Sequence, residues 1–335
     1  MQPKKILIVT HTGDNSSVDA VIRSIEEAGG QAIRFDVDRY PLTTTLTTSF
    51  RGNQWSGLLH TPGADYELAD ISAVWYRRSH GLGKGLQQTA DPQFLPAIMG
   101  ELRHTLMGML EGLPCFQMER FSVYRRLDSK EEQLKKAARH GLLIPNTCIS
   151  NDENQVRAFI RRQNGLVITK MQSAFAINLD EEEHVVFTNE VTPASINDLN
   201  ALRLCPMMFQ QKIEKKLELR VTIVGQALFA FSIDSQRVDN AKTDWRKEGA
   251  SMINDWQPYE LPQQVKQQLL AFMAGYGLNY GAIDLLLTPG DEYYFLEVNA
   301  AGEYFWLDRL CDNAISRQIA AVLLGNVVRM QPAVK

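Results

Sequence analysis

Along this chain, strand-length apolar runs alternate with stretches of helical spacing, a pattern that predicts an α/β protein. Residues 5–10 read as a first strand, followed by the polar loop 11–17 and a helix at 18–28 that Gly29-Gly30 would stop. A strand at 32–35 comes next, then the turn Asp36-Val-Asp-Arg-Tyr-Pro41. The Thr-rich run 42–50 and residues 55–59 predict antiparallel strands. Residues 71–76 form another buried strand, ending at Arg77-Arg78, and 94–110 have helical spacing. To about residue 115 this is a small open-sheet unit.

Beyond Asp128 the pattern changes. Asp128-Ser129 is placed to cap a helix at 130–140 that ends at Gly141. Residues 142–147 run extended, a helix covers 151–163, and a strand at 166–170 ends in Lys170. A hairpin around 180–184, a strand at 185–188, a short helix at 195–204 and an edge strand at 209–213 follow. Segments 218–224 and 226–232 pair through Gly225. An amphipathic helix at 261–275 precedes two apolar runs, 285–287 and 293–298, joined by the turn Pro289-Gly290-Asp291. A terminal helix covers 312–324. There is no internal repeat and no low-complexity linker.

Composition narrows the class. At 335 residues the chain can hold two or three domains, and 44% hydrophobic with 22% charged residues is that of an ordinary globular protein. No stretch approaches the roughly 18 apolar residues of a membrane span, and the N-terminus runs straight into the first strand. A net charge of −4 disfavours a nucleic-acid platform. Cys115, Cys148, Cys205 and Cys311 are far apart and form no CxxC, which suits a reducing cytoplasm and an inert role. The six histidines are scattered. The loop 11–17 holds one glycine, so it is no dinucleotide fingerprint.

The candidate chemistry is concentrated late in the chain. Asp284 is placed at the start of one strand of the last hairpin. Glu297 and Asn299, two apart on the other strand, share a face. Two carboxylates and an amide oxygen suit a hard cation such as Mg²⁺; the alternative is a hairpin with solvated acidic ends. Lys170 ends an apolar strand, where a phosphate would stabilise it, or it snorkels to water. Lys130 opens a surface helix. Glu218 and Arg220 share a strand face, as a ligand pair or as a mutual ion pair. Arg246 follows Asp244-Trp245 in a polar segment.

In order, these residues resemble the ATP-grasp superfamily: a lysine at a helix start, a lysine ending a strand, Gln-Lys-Ile, Glu-x-Arg, and Asp followed by Glu-x-Asn. More narrowly, the chain resembles the microviridin-type peptide ligases, or graspetide maturases. That match is carried by Arg34-Phe-Asp-Val-Asp-Arg-Tyr-Pro41, Val74-Trp-Tyr-Arg-Arg78, Gly141-Leu-Leu-Ile-Pro145, Ile168-Thr-Lys-Met171, Phe175-Ala-Ile177 and Glu297-Val-Asn-Ala-Ala-Gly-Glu-Tyr-Phe-Trp306. The resemblance implies an ATP-grasp fold preceded by a small open-sheet α/β pre-ATP-grasp domain: an α/β protein with α+β lobes, divided at 1–118, 119–208 and 209–335. It implies ATP and Mg²⁺ as cofactors. Lys130 and Lys170 would contact phosphates, Gln211, Lys212 and Ile213 would read the adenine edge, and Glu218 would bind the ribose. Arg220 and Arg246 would stabilise the γ-phosphate and an acyl phosphate, while Asp284, Glu297 and Asn299 would hold the metal. One departure is that Met171-Gln-Ser-Ala-Phe-Ala-Ile177 lacks the glycines of many superfamily flaps, so Gln172 or Ser173 would replace backbone cradling.

The implied reaction is carboxylate activation through an acyl phosphate, needing charge neutralisation rather than a protein nucleophile. The implied partner is a ribosomal precursor peptide, leader plus core. Its Asp or Glu side chains would be joined to Ser or Thr hydroxyls as ω-esters, or to Lys as ω-amides, with no nucleic acid or membrane involved and a homodimer compatible. Residues 180–204, with the acidic run 180–183, are the candidate leader dock, a solvated turn being the alternative. A free-standing amino-acid or peptide ligase and a non-catalytic ATP-binding module are the competing classes. The missing glycine fingerprint disfavours an oxidoreductase.

Overall fold

The structure is a computed structural model that describes residues 2–172, 176–179, 182–185, 188–197, 199–239, 242–243 and 245–330. Its first unit opens with β1 (Lys5–Thr10), α1 (Ser16–Glu27) and β2 (Gln31–Asp36), the two strands parallel. An antiparallel sheet of β3 (Thr45–Arg51), β4 (Gln54–His60) and β5 (Asp65–Glu67) follows. The chain returns as β6 (Ile71–Tyr76) on the other side of β1, then runs through α2 (Leu95–Gly112), β7 (Phe116–Gln117) and α3 (Phe121–Leu127). The parallel sheet has the order β2-β1-β6-β7.

The unbroken apolar run of β1 follows from burial on both faces. Ile6 and Ile8 point into one core cluster with Val18, Val21 and Ile25 of α1, while Leu7 and Val9 point into another with Leu106 and Leu110 of α2. Side chains two apart on a strand share a face, so the run feeds two cores at once.

The middle of the chain comprises α4 (Lys130–Arg139), β8 (Thr147–Ser150), α5 (Glu153–Arg162), β9 (Val167–Lys170), β10 (Ala176–Leu179), β11 (Glu182–Val185), β12 (Asn189–Glu190), α6 (Pro193–Asn197) and β13 (Met207–Gln211). Ser129 caps α4, its hydroxyl receiving the Glu132 N–H at 3.2 Å. A mixed-length sheet, β12-β9-β13-β8, packs on α5 through Val156, Phe159, Val167 and Phe209. The acidic hairpin of the candidate leader dock is present as β10 paired with β11. Asp180, Glu181, Val186 and Phe187, together with Ser173 and Phe175 of the flap, lie outside the described residues.

The last part builds a five-stranded antiparallel sheet. It contains β14 (Leu217–Val224), β15 (Ala227–Ile233), β16 (Gln257–Pro258), α7 (Gln263–Tyr276), β17 (Tyr280–Leu287), β18 (Tyr293–Asn299), α8 (Phe305–Asp308) and α9 (Ala314–Leu324). The strand order is β16-β15-β14-β17-β18. α7 and α4 cover one face, through Leu269, Phe272, Leu134 and Ala137 against Leu219, Val221, Ile283 and Leu285. α9 packs on α1, and one core cluster holds Ile6, Ile8 and Val18 together with Tyr280, Ile319 and Leu323. The C-terminal sheet is thereby fixed against the N-terminal one.

Some sequence-based boundaries shift. The strand expected at 285–287 begins at Tyr280, so Asp284 sits mid-strand rather than at a strand start. Gly281 hides that extension from a pattern reading: a Cβ there would lie 2.8 Å from Met273 and 3.0 Å from Val298. The helix expected at 195–204 divides into α6 and a separate tighter turn at Asn200–Leu204.

Candidate active site

A cleft of about 1040 Å³, counting its part open to solvent, lies between the central sheet and the C-terminal sheet. β9 contributes Lys170, the end of β13 contributes Gln210 and Gln211, and Lys212 and Ile213 follow. β14 contributes Glu218 and Arg220, β17 contributes Asp284, and β18 contributes Glu297. Arg246 lines it from the Trp245–Met252 segment. Nine of the residues singled out in the sequence therefore meet in one place. Asp244, beside Arg246, lies outside the described residues.

Asp284 and Glu297 are directly opposite one another in the β17–β18 register. An irregularity in that register, between Asp284 and Leu285, inserts Leu296 as an extra residue in β18. The bulge lets Phe295 and Val298 both enter the core while Glu297 faces the cleft. Arg220 donates to Asp284 at 2.6 Å, and Lys130 bonds Glu297. Burial pushes the Glu297 carboxyl up, but Lys130 and then Lys170 outweigh it and hold it at about 2. Burial lowers the Lys170 ammonium, and Glu297 opposes that. Two carboxyl groups within one cross-strand pair are a hard oxygen donor set of the kind Mg²⁺ takes. Asn299 is placed differently. It is exposed, does not line the cleft, and its amide oxygen receives the Ala301 N–H at 2.8 Å.

The alternative of a Glu218–Arg220 ion pair is not what forms: Glu218 takes Lys215 at 2.7 Å, and Arg220 goes to Asp284. At the other end, the Gln211 and Lys212 N–H groups donate to Asn146 and Leu166 at 2.8 and 2.9 Å. These two donors are occupied by the fold, so an adenine edge would meet other atoms of the hinge. Gln210, passed over in the sequence, is 1% exposed; its amide nitrogen donates to Thr147 at 3.0 Å, and its oxygen has no partner among the described residues. A buried acceptor lacking a donor is costly, about 1–3 kcal/mol, and marks a place for a ligand N–H.

Residues 5–125 match the family model described as the MvdD pre-ATP grasp domain. Among solved structures, the chain is 48% identical to the RiPP-associated ATP-grasp ligase of Chryseobacterium gregarium in complex with ADP, and a leader and core peptide. That match has a TM-score of 0.95 and covers 99% of this chain and 100% of that one. The chain belongs to the RiPP-associated ATP-grasp ligases. The macrocyclase MdnC of Microcystis aeruginosa MRC, bound with precursor peptide MdnA, is 39% identical with a TM-score of 0.86 over 96% of this chain and 99% of that one. The macrocyclase MdnB from the same organism is 33% identical with a TM-score of 0.81, over 96% and 99%. Comparison with curated proteins finds no match. The small α/β unit before the ATP-grasp region is the expected pre-ATP-grasp domain.

In this ligase, the segment after β18 is held carbonyl by carbonyl. Ala300 accepts from the Tyr124 hydroxyl at 3.3 Å, Ala301 from Arg77 and from Arg78 at 3.3 Å, Gly302 from the Tyr280 hydroxyl at 2.6 Å, and Glu303 from Arg220 at 3.3 Å. Gly302 leaves no room for change, because a Cβ would lie 2.5 Å from that of Ala282. The Glu303 carboxylate pairs with Arg77 at 2.8 Å and Arg78 at 2.7 Å. The two segments that mark the peptide-modifying branch, 74–78 and 297–306, thus bind each other. Trp306 joins Trp245 and Trp256 in an aromatic wall of the cleft, with Arg220 5.9 Å from the Trp306 ring centre. Among the described residues no helix is long and apolar enough to cross a membrane.

Proposed function

We propose that this ligase activates Asp or Glu side chains of a ribosomal precursor peptide as acyl phosphates and closes macrocycles onto Ser or Thr hydroxyls, giving ω-esters. The observation that carries this reading is the Asp284–Glu297 cross-strand pair, set in the cleft among Lys130, Lys170 and Arg220. Asp284 and Glu297 would hold Mg²⁺, Asn299 joining them once its amide oxygen leaves the Ala301 N–H, and the ion would neutralise charge on the phosphates of ATP. Lys130, Lys170, Arg220 and Arg246 bind and orient the phosphate chain. Gln211, Lys212 and Ile213 flank the adenine, Glu218 takes the ribose, and the Gln210 oxygen receives the adenine amino group.

The precursor carboxylate attacks the γ-phosphorus, the bond to the β-phosphate oxygen breaks, and ADP leaves. The Ser or Thr hydroxyl then adds to the acyl carbon, loses its proton, and expels phosphate. Arg220, packed on Trp306, faces the charge that develops in both steps, and the tryptophan wall keeps water from the acyl phosphate. The hairpin of β10 and β11 with α6 serves as the leader dock. Support for the peptide as substrate comes from the relatives: the Chryseobacterium gregarium ligase is seen with leader and core peptide, and MdnC with its precursor.

The test is mass spectrometry of the enzyme's precursor after incubation with Mg-ATP. Each ring appears as the loss of one water, and mild base reopens an ester but spares an amide. Retention of every ring after base treatment would replace the ester assignment with an amide one; an unmodified peptide would remove the reading.

A further inference from the structure

Arg246 is carried to the cleft by a 3₁₀ helix, Trp245–Met252. Hydrogen-bond geometry in such helices is poor, and runs beyond three or four residues are uncommon. A segment of this kind takes its position from what its ends pack against. At the far end, Met252 is 3% exposed and belongs to the core cluster that also holds Trp256.

The near end is held by rings. Trp245 meets Trp256 edge to face, with centroids 5.3 Å apart and planes at 82°, and meets Trp306 at 5.9 Å and 49°. Trp256 and Trp306, 6.4 Å apart, close the triangle. Contacts of this geometry fix orientation as well as distance. Both rings under Trp245 are themselves anchored. Trp256 is buried, and the β16 residues that follow it pair with β15. Trp306 lies three residues after Glu303, whose carboxylate is gripped by Arg77 and Arg78 and whose carbonyl accepts from Arg220.

This arrangement places two arginines on one aromatic platform. Arg220 sits 5.9 Å from the centre of the Trp306 ring, and Arg246 is the residue after the tryptophan packed on that same ring. Arg246 is exposed while its neighbour is packed, and it lines the cleft with Lys170, Asp284 and Glu297. Behind burial, Lys130 and Lys170, its charge is among those that act on the Glu297 carboxyl.

Resting on the ligase reading above, we propose that Trp245 is a positioning residue: its seat on Trp256 and Trp306 holds Arg246 at the phosphates, in step with Arg220. Without that ring, the helix keeps only its Met252 end, and Arg246 loses its fixed place over the cleft.

The test is a double-mutant cycle on the full enzyme, with Trp245→Ala, Arg246→Ala and the two together, read as the rate of water loss from the precursor with Mg-ATP. Trp245→Ala should lower kcat about tenfold or more, with affinity for a leader-only peptide within about twofold of wild type. Trp245→Phe, which keeps a ring edge, should stay within about threefold of wild type. The double variant should match Arg246→Ala within about twofold, because a displaced arginine and an absent one are equivalent. Should Trp245→Ala not fold, Trp245→Leu keeps the bulk without the ring and takes its place in the cycle. A tryptophan that only supports the fold would cost as much activity without Arg246 as with it, so additive losses overturn the proposal, as does full activity in the Ala or Leu variant. Wild-type enzyme that forms no dehydrated product overturns the ligase reading instead; the same cycle read on Mg-ATP affinity then decides the role of Trp245.

Discussion

The Arg77 guanidinium lies 2.8 Å from the Glu303 carboxylate, joining the end of β6 to the segment that follows the acidic hairpin. Arg77 is 1% exposed, and burial works against its charge; Glu303 and then Asp14, 3.7 Å away, restore it. The same guanidinium bonds Ala301, and Ser17 donates to Glu303 at 3.2 Å. A charge carried by the pre-ATP-grasp domain thereby sets the position of the residues next to the catalytic strand.

Breaking that pair should be costly. Arg77→Met leaves Glu303 without its buried partner and the Ala301 carbonyl with less support, and should destabilise the protein by about 3–5 kcal/mol. Arg77→Lys should recover only part of this, since an ammonium cannot span Glu303 and Ala301 with a planar fork. Chemical denaturation of the three proteins checks both statements; a loss below about 1 kcal/mol for Arg77→Met would show that the bridge is dispensable.

Gln210 should report nucleotide identity. Its unpartnered oxygen accepts the adenine amino group, so Gln210→Met should raise KM for ATP about tenfold and change KM for GTP, which has no amino group at that position, much less. Steady-state ADP and GDP release measures this, and equal KM for ATP in both proteins would take Gln210 out of the adenine site.

Acid stability should depend on Glu297. Its folded pKa of about 2 lies below the ordinary 4.5, so the ionised form is favoured by folding. That contribution is complete above about pH 5 and is lost as pH falls through 4.5 toward 2. Unfolding midpoints followed over this range should drop more steeply for wild type than for Glu297→Gln, which has no carboxyl to protonate. Parallel curves would mean that Lys130 and Lys170 do not hold this carboxylate.

Much of the site was legible because local pattern dictates it. The strand ending in Lys170, the Ser129 cap and the hairpin turn at Pro289-Gly290-Asp291 all follow from periodicity and turn chemistry, and the residues they position do line or flank the cleft. Register was not legible. That Asp284 faces Glu297, and that Leu296 is bulged so that Glu297 can turn inward, depends on packing against α7 rather than on composition. Nor does spacing announce that Arg77 and Arg78 meet Glu303, since sequence-distant ion pairs are set by how the sheets dock. Gln210 was missed for a similar reason: the strand expected at the sheet's edge is an inner one, paired with β8 on one side and β9 on the other, and that pairing buries the glutamine. α3 and β7 are too short for periodicity to reveal.

The most direct test of the central claim is ring formation by Glu297→Gln, read as water loss from the precursor by mass spectrometry with Mg-ATP. Glutamine keeps the size of the side chain and removes the charge that a divalent ion requires. The precursor should emerge at its unmodified mass while the variant stays folded. Rings formed at the wild-type rate would contradict it.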